Sequence, residues 1–101
     1  MTDALTLIAR LTAKPDRAEM LGEALQSLVS PTRAEAGSID YHLHRDSDDP
    51  TVWILYENWR SRAHLDAHFQ QPYTKVVMAR FQDPLARDME LTFCTMTSPR
   101  P

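Results

Sequence analysis

Four histidines carry most of the chemistry open to this 101-residue chain. His64 and His68 stand four apart in SRAHLDAHFQQPY, which puts them on one face of a helix. His42 and His44 stand two apart in IDYHLHR, which puts them on one face of a strand. Four imidazoles could in principle hold a metal ion. Strand parity opposes this, because it sends His42 and His44 to the side of the sheet away from His68. HLDAH also lacks the glutamate that follows the first histidine on a metalloprotease helix. No metal ligands are assigned: His64 reads as surface, and His42 and His44 as structural. His68 differs, since Ala67 and Phe69 flank it and the helix breaks just beyond, at Gln70–Pro72. An imidazole with a pKa of about 6.5 can take a proton from a phenol or an enol. Capping a backbone carbonyl is the alternative role, and the residues alone leave both open. Cys94 is the only cysteine, which rules out an internal disulfide and a CxxC zinc site. It has no basic neighbour in sequence and reads as an inert thiol. Gly22 and Gly37 are the only glycines, too few for a phosphate-cradling loop, which argues against a nucleotide or flavin site.

The elements that must position these groups follow from periodicity. Residues 4–13 alternate, with Leu5, Leu7, Ala9 and Leu11 on one parity, and predict a strand. After Lys14-Pro15-Asp16, residues 16–35 show helical spacing. Ala18, Leu21, Leu25, Leu28 and Thr32 form a stripe that Met20, Ala24 and Val29 widen. Pro31 predicts a kink or break near Ser30, and Gly37 closes the segment. A second strand covers 38–45, the polar turn DSDDP covers 46–50, and a third, strongly apolar strand covers 51–59. Ser61 can cap a helix to about Gln70. Pro72 opens another, PYTKVVMARFQ, with Val76, Val77 and Phe81 inward, and Asp83-Pro84 ends it. Residues 88–97 alternate again as a fourth strand. The order β-α-β-β-α-β is the ferredoxin-like pattern: an α+β fold with a four-stranded antiparallel sheet and helices on one face. Residues 1–101 are expected to form one domain.

One parity set, Leu5, Leu7, Leu11, Ile39, Leu43, Ile54, Met89, Leu91 and Phe93, is placed under the helices. The other holds Ile8, Trp53, Leu55, Trp59 and Met96, with Arg10, Asp40, His42, His44 and Glu57 among them. An uncovered face with two tryptophans would be a large apolar patch. A homodimer packed sheet against sheet is the expected remedy. The aromatics Tyr41, Tyr56, Phe69, Phe81 and Phe93 are expected on the helix-facing side or its rim, lining a pocket for a planar ligand.

Net charge is −3 without a basic block, which argues against nucleic acid as a partner. No window approaches the ~20 apolar residues of a membrane span, and no signal peptide is recognisable. A cytoplasmic protein is expected.

SPTRAEAGSIDYHLHRDSDDP (30–50) and YENWRSRAHLDAHFQQPY (56–73), in this order and spacing, resemble the antibiotic biosynthesis monooxygenase family. The similarity runs nearly end to end, from LTLIARLTAKPD to the last strand. It implies a dimeric α+β barrel with a pocket between sheet and helices in each subunit. For some members it implies cofactor-independent oxygenation of quinols or anthrones by dioxygen, with neither metal nor flavin. Similar chains degrade haem or isomerise a small phosphorylated diketone. Haem-degrading relatives carry an asparagine on the first strand and a tryptophan on the helix after strand three. Ala9 and His68 stand at those positions here, which argues against haem degradation. Many quinol-type members read Pro-His-Phe where this chain has Pro72-Tyr73-Thr74. On this resemblance His68 would be the base and Tyr73 the hydroxyl that orients substrate, with Tyr41, Tyr56, Phe69, Val77, Phe81 and Phe93 around a small aromatic substrate. A base at His68 would equally serve an isomerase working through an enediol. A non-catalytic dimer that sequesters such ligands is the third reading.

Overall fold

In a computed structural model, described here for residues 3–99, the chain runs β1 (Leu5–Thr12), α1 (Ala18–Arg33), β2 (Ser38–Arg45), β3 (Val52–Trp59), α2 (Arg62–Gln70), α3 (Pro72–Ala79), a 3-10 turn (Arg80–Gln82) and β4 (Glu90–Cys94). The sheet order is β2-β3-β1-β4 and every pairing is antiparallel. This is the ferredoxin-like α+β arrangement, with the core between the sheet and its helices.

α1 buries Ala18, Leu21, Gly22, Leu25, Leu28, Val29 and Thr32, the stripe set by its 3.6-residue period. Met20, expected to widen that stripe, is exposed. A kink or a break was expected near Ser30, and the helix does not break there. Pro31 lies inside the last turn, where a missing N–H removes a single helical hydrogen bond, and buried Leu28, Val29 and Thr32 hold the turn in place. Ser61 caps α2 by accepting from the His64 amide at 3.2 Å. Pro72 starts α3 at a position where its missing N–H costs nothing. Val76, expected inward, is exposed, while Val77 is buried.

The register corrects the assignment of faces on β3. Leu5 pairs with Trp59, Leu7 with Glu57, Ala9 with Leu55 and Leu11 with Trp53. Cross-strand partners share a face, so both tryptophans, Leu55 and Glu57 lie beneath the helices and not on the opposite face. Trp59 is wholly buried, and Trp53 Nε1 donates to the Ala18 carbonyl at 3.0 Å. Ile54 pairs with Arg10 and His44, which sets it on the open face. Ile39 sits in a β-bulge between Ser38 and Asp40 and lines a concavity of that face with Thr6, Asn58 and Met96. Both had been expected under the helices. The physical reason is that β3 is apolar on both parities, and a strand without clean alternation cannot be phased alone.

Candidate functional site

The site is assembled where α2 and α3 cross the sheet. On α2, Leu65 and His68 are buried, three residues apart on the inward stripe, and His64 is exposed. The His68 ring packs against Trp59 at 4.8 Å between centroids and Tyr41 at 5.9 Å. Its Nδ1 lies 2.7 Å from Oε2 of Glu35, in the turn after α1. The Tyr73 hydroxyl donates to the same Glu35 oxygen and lies 3.4 Å from Thr32 Oγ1. A carboxylate on Nδ1 fixes the ring's orientation and favours the tautomer with its proton there, leaving Nε2 as the basic nitrogen.

His68 lines a small chamber with Leu7, Leu55, Tyr41, Phe69, Phe81, Glu57 and Thr74, among others. Its volume is about 30 Å3, room for little more than a water molecule. A cleft of about 590 Å3 adjoins it and shares Met78, Phe81 and Met89 with its wall. A planar ligand must displace those side chains to enter, and methionine adapts readily to such a demand.

Two carboxyls define the electrostatics. Glu57 is buried and its Oε1 accepts from Trp59 Nε1 at 2.9 Å. Burial, reinforced by the charge of Glu35 and opposed by the Trp59 hydrogen bond, pushes its pKa up to about 7. Burial first, and then the nearby Glu57 charge, holds the Tyr41 phenol far above its ordinary range. Burial and the bond to Glu35 raise the Tyr73 phenol as well. Thr74 Oγ1 is close enough to Tyr73 to favour its phenolate slightly, yet it is buried without a well-formed hydrogen bond.

Of the residues singled out in the sequence, His68, Tyr41, Phe69 and Phe81 meet at the chamber. Tyr73 stands behind it on Glu35, and Val77 packs in the surrounding core. Phe93 is on the helix side but lies under the Arg62 guanidinium at 4.3 Å, half exposed. Tyr56 is corrected: it is on the open face, where its hydroxyl accepts from Asn58 Nδ2 at 3.0 Å. The sequence reading passed over Glu35 and Thr74 and put Glu57 on the wrong side. A lone carboxylate in the apolar run VWILYENW was the available signal for Glu57. Glu35 lies in a turn with no periodicity to mark it.

His42 and His44 sit together on the open face, ring centroids 6.5 Å apart. Arg33 reaches His42 Nδ1 at 3.0 Å, and His64 is tied to Ser61 Oγ at 2.8 Å. Among the described residues, no three His, Cys, Asp or Glu side chains gather as a metal set would, and no helix is long and apolar enough to cross a membrane.

Sheet, helices and a small internal chamber together define a ferredoxin-like α+β protein with a buried polar site. Residues 4–80 match the family described as antibiotic biosynthesis monooxygenase, and the chain belongs to that family. It is 34% identical over 92 residues to a Mycobacterium tuberculosis protein called "Putative monooxygenase Rv0793", covering 91% of this chain and 90% of that one. The structure of Rv0793 superposes with a TM-score of 0.91, covering 97% of this chain and 99% of the other. PA3566 from Pseudomonas aeruginosa gives a TM-score of 0.91 at 34% identity, covering 97% and 98%. The uncharacterized protein sll1783 of Synechocystis is 33% identical over 89 residues, 88% of this chain. The matched part is 60% of that protein's length.

Proposed function

We propose that the protein is a cofactor-independent monooxygenase acting on a small planar aromatic hydroquinone or anthrone with dioxygen. The observation that carries this reading is the Glu35–His68 pair, a base held in one orientation against an aromatic-walled chamber. His68 takes the substrate's hydroxyl or enol proton. The resulting anion gives one electron to dioxygen, and superoxide and substrate radical combine to form one carbon–oxygen bond. Loss of the carbon-bound proton and cleavage of the O–O bond leave a carbonyl and release water. The substrate supplies all four electrons, so no external reductant enters. The apolar walls of the chamber shield the anion and the peroxide from bulk water. Tyr73 acts through Glu35, holding the carboxylate that holds the imidazole.

The test is oxygen uptake with a panel of hydroquinones and anthrones, in the wild type and in His68→Ala. Uptake with one class, reduced at least 100-fold in the variant, supports the reading. Equal uptake by the two proteins would remove His68 as the base. Anaerobic exchange of solvent deuterium into a carbonyl substrate, with no uptake of oxygen, would point to isomerisation instead.

A further inference from the structure

The chemistry assigned to His68 leaves Glu57 idle, although Glu57 lines the same chamber. Its position is costly, because a buried carboxyl needs partners for both oxygens. Trp59 serves one of them, and among the described residues no hydrogen bond serves the other. The groups around it are Tyr41, its register partner on β2, Glu35 from the turn after α1, and His68 from α2. On β1 its register partner is the apolar Leu7. Beside these, Thr74 presents a buried hydroxyl without a well-formed hydrogen bond to the same space. A buried, unpartnered Thr74 hydroxyl and a Glu57 carboxyl with one hydrogen bond face the same chamber, which marks a place where a ligand's polar atoms belong.

The proposed oxygenation moves two protons from two different substrate atoms, the hydroxyl and the carbon to be oxygenated. His68 is placed for the first, and Glu57 lines another part of the same chamber wall. We propose that Glu57 is the second catalytic base, which removes the carbon-bound proton from the substrate peroxide. This role rests on the oxygenase reading above. The imidazolium of His68 first returns its proton to the new peroxide anion. Glu57 then takes the proton on the oxygenated carbon, and the C–H electron pair becomes the second bond of the carbonyl. The O–O bond breaks, and the departing hydroxide collects the Glu57 proton as water. Both residues end in the state in which they began. A carboxyl titrating near 7 is poised to take and release a proton at neutral pH. The substrate must therefore carry a hydrogen on the carbon to be oxygenated; a ring fully substituted at that carbon would not complete the cycle.

The experiment compares wild type, Glu57→Gln and Glu57→Asp. Gln keeps an oxygen for Trp59 and adds no volume, and thermal denaturation checks the fold. Glu57→Gln should consume about one oxygen per site in a burst and then stall with the substrate peroxide held in the site, recoverable on denaturation, and steady-state kcat should fall roughly 100-fold. Asp should restore part of the rate. A kcat within threefold of wild type, or a stall without peroxide, overturns the role. Should the wild type consume no oxygen with any substrate, the oxygenase reading fails, and binding of 2-naphthol still tests Glu57 as a ligand-contacting proton acceptor. Its affinity should rise about tenfold between pH 6 and pH 8 in the wild type, as the Glu57 carboxylate forms, and this rise should be lost in Glu57→Gln. The two proteins differ only at residue 57, so the difference isolates Glu57. Identical pH profiles overturn the proposal.

Discussion

The Nδ1 atom of His68 lies 2.7 Å from the carboxylate of Glu35, 33 residues earlier in the chain. That contact, with Tyr73 on the same oxygen, ties α2, α3 and the turn after α1 to one point. Removing the carboxylate would free the ring and leave a buried N–H without an acceptor. Glu35→Ala should therefore lose about 1–3 kcal/mol in denaturant unfolding. Glu35→Gln keeps an acceptor but not the charge that supports an imidazolium. It should unfold within about 1 kcal/mol of wild type while losing about 100-fold or more in oxygen uptake. A Gln variant of unchanged activity would reduce Glu35 to a structural residue.

Glu57 makes stability depend on pH in the direction opposite to an ordinary salt-bridged acid. Its folded pKa, about 7, lies above the ordinary carboxyl value of 4.5. Between those values the folded state holds a proton that the unfolded chain has released. This contribution is whole below about pH 4.5 and lost as pH rises through 7. Above that, the buried charge costs on the order of 3 kcal/mol. Glu57→Gln should therefore be more stable than wild type at pH 8, and the gap should close toward pH 5. Denaturant midpoints at the two pH values check this, and a variant less stable at pH 8 would contradict it.

Much of this arrangement was legible from periodicity. β1 could be phased because Thr6, Arg10 and Thr12 interrupt one parity while Leu5, Leu7, Ala9 and Leu11 keep the other. The α1 stripe and the breaks at Gly37, Pro72 and Pro84 placed the elements in order. β3 could not be phased, since Val52, Ile54 and Tyr56 are as apolar as Trp53, Leu55 and Trp59. Only its pairing with β1 decides the face, and pairing is a non-local fact. The Glu35–His68 contact depends on helix placement, and the face on which the Trp59–Glu57 pair lies depends on that same pairing. The histidine was therefore visible in sequence, and its partners were not.

Gly22 and Trp53 show what such a non-local contact demands. The Trp53 ring is held by the Ala18 carbonyl and by Arg45 stacked at 4.6 Å. A Cβ at Gly22 would fall within that ring's contact distance. Overpacking of this kind costs about 1–3 kcal/mol, against about 1 kcal/mol gained from alanine's helix propensity. Gly22→Ala should thus lower the melting temperature by several degrees. A rise would mean that the ring moves aside freely.

Met78 belongs to both the chamber and the outer cleft, so its length should limit entry. Met78→Ala should open the chamber and speed association of 2-naphthol several-fold, at a stability cost of about 2–3 kcal/mol. Stopped-flow binding separates the two effects. An unchanged association rate would mean that the route lies elsewhere.

The open face of the sheet has lost its tryptophans to the core, yet it is not a purely polar surface. Ile8, Ile39 and Met96 remain more than a third exposed there, with Ile54 half-buried beside them. Thr6, Asn58, Asp40 and Tyr56 form a chain of hydrogen bonds along it, so these four are already matched. We propose that a second copy of the chain covers this face. Apolar burial contributes about 25 cal/mol per Å2, and several hundred Å2 would offset the cost of association. Sedimentation equilibrium should give twice the 11.6 kDa chain mass for the wild type and the single mass for Ile8→Asp. Trp53 and Trp59 belong to each subunit's own core, so their fluorescence should not shift on dissociation. A wild type that sediments as one chain at micromolar concentration would leave this face as a wet surface.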